Sequence, residues 1–347
     1  MSYEQEKQIA IKAVTAAAKL CEAVRREQSI SEGANQNRVK HFTKPDRTPV
    51  TIADFGAQAI ICQAIAEAFP RDSIVGEEDS GLLQQPEMLE GSAQITDYVK
   101  RQIKSATSES VKDWIDRGNG TIANRYWTID PIDGTKGYIR GGQYAIALAL
   151  VEGSEVKLGV LGCPALPLSF AQPESQTGVI FVAVRGEGTT MIPLNGGSPK
   201  LIRVNCRTPA TNSDVLENLH LRRVESVELS HGNLSLEAQV GKLVGLNTPS
   251  LQIDSMAKYG VIARGEAALY IRLPSPISSP KRQNIWDHAA GAIAVEEAGG
   301  KVTDMYGRPL DFSCGSKLFN NQGTIASNGE IHEAVLAAVA EIIRGER

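Results

Sequence analysis

The chain has 347 residues, of which 42% are hydrophobic and 22% charged, and its formal net charge is −4 at pH 7. That is the composition of a globular protein with one large domain or two ordinary ones. An acidic balance disfavours bulk binding to nucleic acid or to acidic membranes, which needs a basic face, but leaves room for a local basic pocket around a small anion.

From Glu4 to Arg26 the residues are good helix formers, and Ile9, Ala13, Ala16, Leu20 and Val24 recur on one face. Residues Gly33 to Pro49 read as a polar loop. Thr51 and Asp54 stand as the N-cap and third-position acid of a capping box, opening a helix that runs to about Phe69 before Pro70. Ser73 to Gly76 is a short strand leading into Glu77-Glu78-Asp79, and the polar stretch from Ser80 to Ala123 reads as an insertion with helix around Ile95 to Lys104. Tyr126 to Ile129 is a strand expected to end at Asp130, where Pro131 stops the ladder and Gly134-Thr135 open a helix. Tyr144–Val151 with Val156–Cys163, and Gly178–Arg185 with Thr189–Pro193, read as two hairpins.

The second half alternates. Helices are expected over Leu236–Leu243, Ser255–Ala263, Ile285–Ala298 (closed by Gly299-Gly300) and Ile331–Ile343, with strands at Leu251–Ile253, Ala268–Leu273, Lys301–Thr303 and Gly323–Ala326. The expected class is therefore α/β (α+β). An antiparallel-sheet domain would span residues 1–207 and an α/β domain residues 208–347. The five cysteines are scattered without a CxxC pair, so no disulfide framework or zinc site is expected and a reducing compartment is. With no signal-peptide stretch and no run of transmembrane length, the expected location is cytoplasmic.

The chemistry centres on Asp130-Pro131-Ile132-Asp133-Gly134-Thr135. Two carboxylates three residues apart at a strand end can converge on magnesium, which takes hard oxygen ligands. The Gly134 and Thr135 amides at a helix start can face a phosphate. The same residue types also make an ordinary turn. Glu77 ends another strand, Asp287 is expected to start a helix, and Asp54 lies in a third helix's first turn. Singly, these could be a solvated acid and two caps.

Four segments together resemble a known family. Trp127-Thr128-Ile129-Asp130-Pro131-Ile132-Asp133-Gly134-Thr135 and the run from Trp286 to Gly300 resemble the two motifs of the lithium-sensitive, magnesium-dependent phosphatases, the inositol monophosphatase superfamily. Gly76-Glu77-Glu78 and Pro49 to Asp54 resemble its glutamate and early aspartate motifs. The likeness spans nearly the whole chain and is weakest between Ser80 and Ala123. Within that superfamily, Asp133 to Ala145 and Ile253-Asp254-Ser255-Met256-Ala257-Lys258-Tyr259 are similar to the eukaryotic-type 3′(2′),5′-bisphosphate nucleotidases, which commonly have Gln where this chain has Met256. His231-Gly232-Asn233 is a looser match to their histidine segment.

The resemblance implies a layered α-β-α-β-α sugar-phosphatase fold and hydrolysis of the 3′(2′)-phosphate of adenosine bisphosphates. It also implies two or three Mg2+ ions per site. Glu77, Asp130 and the Ile132 carbonyl would hold one ion. Asp130, Asp133 and Asp287 would hold a second. Asp54 and the Thr135 hydroxyl would orient the attacking water and accept its proton. Gly134 and Thr135 would seat the scissile phosphate, while His231, Ser255, Lys258, Arg272 and Asp287 would contact the rest of the nucleotide. Arginine and lysine there suit a second phosphate. The implied substrate is a small-molecule nucleotide, with no nucleic-acid polymer or membrane as partner, and the expected state is a monomer. The alternatives are an inositol polyphosphate 1-phosphatase or inositol monophosphatase, and a non-catalytic nucleotide sensor. Retention of Glu77, Asp130, Asp133 and Asp287 argues against the sensor.

Overall fold

The structure is a computed structural model that describes residues 3–31, 39–172, 176–205, 221–228 and 232–345. The first half opens with α1 (Glu4–Ser31), a hairpin of β1 (His41–Thr43) and β2 (Pro49–Thr51), α2 (Ile52–Ala68) and β3 (Ser73–Gly76). Then come α3 (Leu89–Gln102), α4 (Ser108–Asp116), β4 (Arg125–Asp133) and α5 (Thr135–Ile139). A meander follows: β5 (Ala145–Glu152), β6 (Glu155–Pro167), β7 (Thr177–Val184), β8 (Gly188–Pro193) and β9 (Lys200–Ile202). Strands β3 to β9 form one sheet in chain order, with β3 parallel to β4 and the rest antiparallel.

The second half contains β10 (Arg223–Glu225), α6 (Leu234–Leu243), β11 (Leu251–Gln252), α7 (Ala257–Ala263) and β12 (Leu269–Arg272). It ends with α8 (Ala289–Glu297), β13 (Lys301–Thr303), β14 (Thr324–Ser327) and α9 (His332–Gly345). Its sheet has the order β11-β10-β12-β14-β13 and is mixed.

Strand periodicity explains the layering. Along β5, Ile146, Leu148 and Leu150 pack with the apolar faces of α1 and α2, whereas Ala145, Ala147 and Ala149 pack with α7 and α8. Small residues on the second face let those helices approach closely. The other side of the α7–α8 layer meets Val224, Tyr270, Val302 and Ala326 of the second sheet. The far face of that sheet, through Leu269, Ile271 and Ile325, is covered by α6 and α9. The result is the expected five-layer α-β-α-β-α stack, with both sheets sharing the α7–α8 core.

Several boundaries differ from the sequence reading. The polar run before Pro49 contains β1 paired with β2, because Phe42 and Val50 form a cross-strand pair. Residues 33–38 of that run lie outside the described residues. Strand β4 does not stop at Pro131. It continues to Asp133 through a bulge, in which Asp130 and Asp133 pair with Ala147 and Ala145. A bulge is where proline, lacking an N–H, is tolerated within a sheet. Helix α7 starts at Ala257 because Ser255 has φ +71°, outside helical space. Helix α8 starts at Ala289, so Asp287 precedes it in a turn rather than opening it. The boundary expected at Arg207 lies outside the described residues. The first sheet uses residues up to Ile202 and the second begins at Arg223.

Candidate active site

The carboxyl end of β4 carries the central residues. The bulge turns both Asp130 and Asp133 toward one cleft of about 350 Å3, which Ile132, Gly134 and Thr135 also line. Gly134 has φ +84° and faces Ser255, where an added Cβ would come within 2.9 Å of that side chain. Glycine is needed there on both counts. Thr135 opens α5, and its hydroxyl lies 3.0 Å from the Ile132 carbonyl and 3.3 Å from Asp54 Oδ1. One proton serves both acceptors, so the hydroxyl can swing between them.

Asp54 is fixed by the capping box that the sequence predicts. Its Oδ2 accepts from the Thr51 amide (2.8 Å) and hydroxyl (2.6 Å), which leaves Oδ1 for Thr135. It sits behind the cleft wall rather than on it. Burial pushes its carboxyl up to about 7, and the nearby Glu77 charge adds to this despite the Thr51 hydrogen bonds.

Glu77 enters from the end of β3. Lys44, on the β1–β2 turn, donates to Glu77 (3.1 Å) and to the buried Glu78 (2.8 Å). Burial opposes the charge on Lys44, but Glu77 and Glu78 outweigh it and hold the ammonium well above the usual lysine range. Burial, with Glu77 beside it, lifts Glu78 to about 8. Gln58 brackets Glu78 by accepting from its amide and donating to its carbonyl.

Asp130 is raised well above the carboxylate range by burial and by Glu77, Asp133 and Asp287. Asp133 is raised to about 7 by burial and Asp287, even though it accepts from the Met256 amide. Asp287 is raised by burial, opposed by Arg272, whose Nη1 lies 3.4 Å from Oδ2. Among the described residues no three of these acids close into a ready-made ion cage. In kind, though, the set fits a divalent cation: hard oxygen donors gathered at one cleft, with proton affinities raised partly by one another.

The same cleft also has a cationic wall, which touches the acid one where Arg272 meets Asp287. Lys258 on α7 is buried, donates to the Ile253 carbonyl (3.2 Å) and lies 5.1 Å from the centre of the Tyr270 ring. Burial pulls its ammonium down to about 8, against the favourable charge of Asp133. Arg272 ends β12, and Asp133 and Asp287 help hold its guanidinium charged against burial. The Ser255 hydroxyl accepts from the Ala257 amide (3.2 Å).

The cleft thus unites Glu77, Asp130, Ile132, Asp133, Gly134, Thr135, Ser255, Lys258, Arg272 and Asp287, with Asp54 one layer behind. His231 lies outside the described residues. Sequence reasoning missed Lys44 and Glu78, which gave no pattern beyond a polar loop and a doubled acid. It also missed Asp254 as a site residue, although Asp254 stands beside Ser255. Buried Asp254 lines the cleft and is held at Oδ2 by Arg140 (2.6 Å), while its Oδ1 makes no hydrogen bond among the described residues.

Comparison with known proteins agrees with this architecture. A 3′(2′),5′-bisphosphate nucleotidase of Schizosaccharomyces pombe is 41% identical, and the match covers 99% of this chain and 97% of that one. A protein of the same name from Oryza sativa is 37% identical over 99% of this chain and 95% of its own length. The solved structure of a Thermotoga maritima IMPase superposes with TM-score 0.62 at 23% identity, covering 98% of this chain and 99% of that one, a likeness of fold. The model of the inositol monophosphatase family matches residues 4–344. With near-complete coverage by that model and relatives of this similarity, the chain belongs to the inositol monophosphatase family.

Proposed function

We propose that the chain is a magnesium-dependent phosphomonoesterase that hydrolyses the 3′(2′)-phosphate of adenosine 3′(2′),5′-bisphosphate, giving AMP and phosphate. The observation that carries this reading is the meeting of two unlike walls in one cleft: the acids Glu77, Asp130, Asp133 and Asp287, and the cations Lys258 and Arg272, with Arg272 lying 3.4 Å from Asp287. A monophosphate needs only the first wall. A second anionic group on the same molecule suits the cationic wall, where lysine and arginine can both bind it. The names of the relatives support the substrate class.

Glu77, Asp130, the Ile132 carbonyl, Asp133 and Asp287 would hold two or three Mg2+ ions. The bound ions would acidify water, orient the phosphate and neutralise charge that develops on its oxygens. The chain's own groups do the rest. Amides at the α5 start face the scissile phosphate. Asp54 Oδ1 lies within reach of the Thr135 hydroxyl and, at a proton affinity near neutrality, suits a group that takes a proton from water through that hydroxyl. Lys258, Arg272 and Ser255 bind the 5′ side, and His231 contributes to the same contact. Lys44, paired to Glu77, must move when that carboxylate turns to an ion. The enzyme works as a monomer on a small nucleotide. No helix among the described residues is long and apolar enough to cross a membrane, and we place the protein in the cytoplasm.

The test is phosphate release from adenosine 3′,5′- and 2′,5′-bisphosphate, 3′-phosphoadenosine 5′-phosphosulfate, inositol 1,4-bisphosphate and inositol 1-phosphate, with magnesium and with a chelator. Fastest release from the adenosine bisphosphates, abolished by chelator, is expected. Preference for inositol phosphates would overturn the substrate assignment.

A further inference from the structure

Lys258 and Asp287 each have a neighbour in sequence that the proposed chemistry does not use, and those two neighbours meet. Tyr259 follows Lys258 on α7, and His288 follows Asp287 ahead of α8. The Tyr259 hydroxyl lies 2.6 Å from His288 Nδ1, with the rings edge-on at 6.1 Å. Both side chains are buried, at 1% and 0% exposure. His288 Nε2 has no hydrogen-bond partner among the described residues, so the imidazole's one polar contact there is with Tyr259.

The Tyr259 ring has little freedom to move. It lies edge-on to Tyr270 at 5.3 Å, and α8 approaches through Gly291, where an added Cβ would come within 2.9 Å of Tyr259 Cβ. The Tyr270 ring in turn lies 5.1 Å from the Lys258 ammonium. A packed line therefore runs from Lys258 through Tyr270 and Tyr259 to His288, ending one residue from Asp287. The outer ends are tied separately, Lys258 to the Ile253 carbonyl and Asp287 to Arg272.

We propose that the buried Tyr259–His288 hydrogen bond is a positioning clamp that fixes the spacing between Lys258 and Asp287, and with it the spacing of the two anionic groups a substrate must carry. This rests on the functional reading above and sharpens it. A substrate that engages only the acid wall does not sense the clamp. One that spans both walls does, because mispositioning by a fraction of an ångström separates binding from reaction.

The test compares kcat/KM for adenosine 3′,5′-bisphosphate and for p-nitrophenyl phosphate, with saturating magnesium and full-length enzyme. Tyr259→Phe keeps the ring and removes the hydroxyl. Losing one uncharged hydrogen bond should lower kcat/KM for the bisphosphate by roughly five- to tenfold. The small ester should change by less than about twofold, and the magnesium concentration for half-maximal rate should stay put. His288→Asn, whose amide reaches the Nδ1 position, should restore most of the wild-type ratio between the two substrates, and His288→Leu should not. In a Lys258→Ala background, Tyr259→Phe should add nothing further, the non-additivity expected of residues acting as a unit. Equal losses on the two substrates, an unchanged ratio, or full additivity with Lys258→Ala would overturn the clamp. Should Tyr259→Phe not fold, equal ratios for His288→Asn and His288→Leu overturn it instead. A wild-type enzyme that releases no phosphate from the bisphosphate overturns the functional reading and the clamp with it, whereas failure of the ratio test overturns the clamp alone.

Discussion

The two walls of the cleft are built by different means. The acid wall is largely local: Asp130, Ile132, Asp133, Gly134 and Thr135 come from one strand end, shaped by a bulge and a left-handed glycine. The cationic wall is tertiary: Lys258 comes from α7 and Arg272 from the end of β12, set against each other by the α7–α8 core. Burial acts on both in the same way, disfavouring charge, so Asp133 rises to about 7 and Lys258 falls to about 8. Each wall is therefore stabilised by binding the opposite charge, cations on one side and an anion on the other.

The sharpest way to break this contrast is to neutralise the acid wall. Asp133→Asn and Asp287→Asn should each lower kcat by about a thousandfold, the equivalent of several kcal/mol of lost charge stabilisation, on every substrate. Circular dichroism should show both variants folded. Near-normal turnover in either would remove that residue from the metal-binding set.

Removing a cation should give a smaller and selective loss. A charged hydrogen bond is worth about 1.5–3 kcal/mol, so Lys258→Ala should cost roughly ten- to a hundredfold in kcat/KM on the bisphosphate and much less on p-nitrophenyl phosphate. Steady-state kinetics on both substrates decide it, and equal losses would assign Lys258 to the fold or the metal wall.

A pH experiment tests the burial argument. The carboxyl of Asp133 binds its proton more tightly folded than unfolded, so between about pH 4 and about pH 7 the folded chain holds a proton that the unfolded chain has lost, and stability falls as pH rises through that window. His288 and His332, held below the usual imidazole range by burial, act in the opposite sense, so the informative quantity is a difference. In chelator, the melting temperature of wild type minus that of Asp133→Asn should fall from about pH 5 to about pH 7.5, and magnesium should reduce the fall because it binds the deprotonated carboxylate. A difference that rises with pH would show that Asp133 is not raised.

The smallest effect concerns the cap behind the wall. Thr51→Ala should cost about 1 kcal/mol of stability, a few degrees in melting temperature, because the Ala53 amide loses the acceptor it has on Thr51 Oγ1. The activity lost should exceed what unfolding explains, since the Thr51 hydroxyl also holds Asp54 at 2.6 Å.

What the sequence disclosed follows the same division. The capping box and the β3 and β4 strands were legible because period-two and period-3.6 patterns, with cap residues, are local signals, whereas the five-layer stack was legible only through the family resemblance. The acids of the cleft were legible as contiguous motifs. The continuation of β4 through Pro131 was hidden because a proline reads as a stop until the bulge that accommodates it is seen. Lys44 was hidden because its loop joins Glu77 and Glu78 only through the β1–β2 pairing, which has three residue pairs to signal it. The Tyr259–His288 contact spans 29 residues and leaves no spacing rule in the chain.

The central claim is that one substrate bridges both walls. It is tested most directly in the wild-type enzyme by comparing kcat/KM for adenosine 3′,5′-bisphosphate with that for adenosine 3′-monophosphate, which presents the same scissile group without the 5′-phosphate. The account predicts a roughly ten- to a hundredfold preference for the bisphosphate, the worth of about one charged contact. Equal values for the two substrates would contradict it, leaving Lys258 and Arg272 without a part in binding.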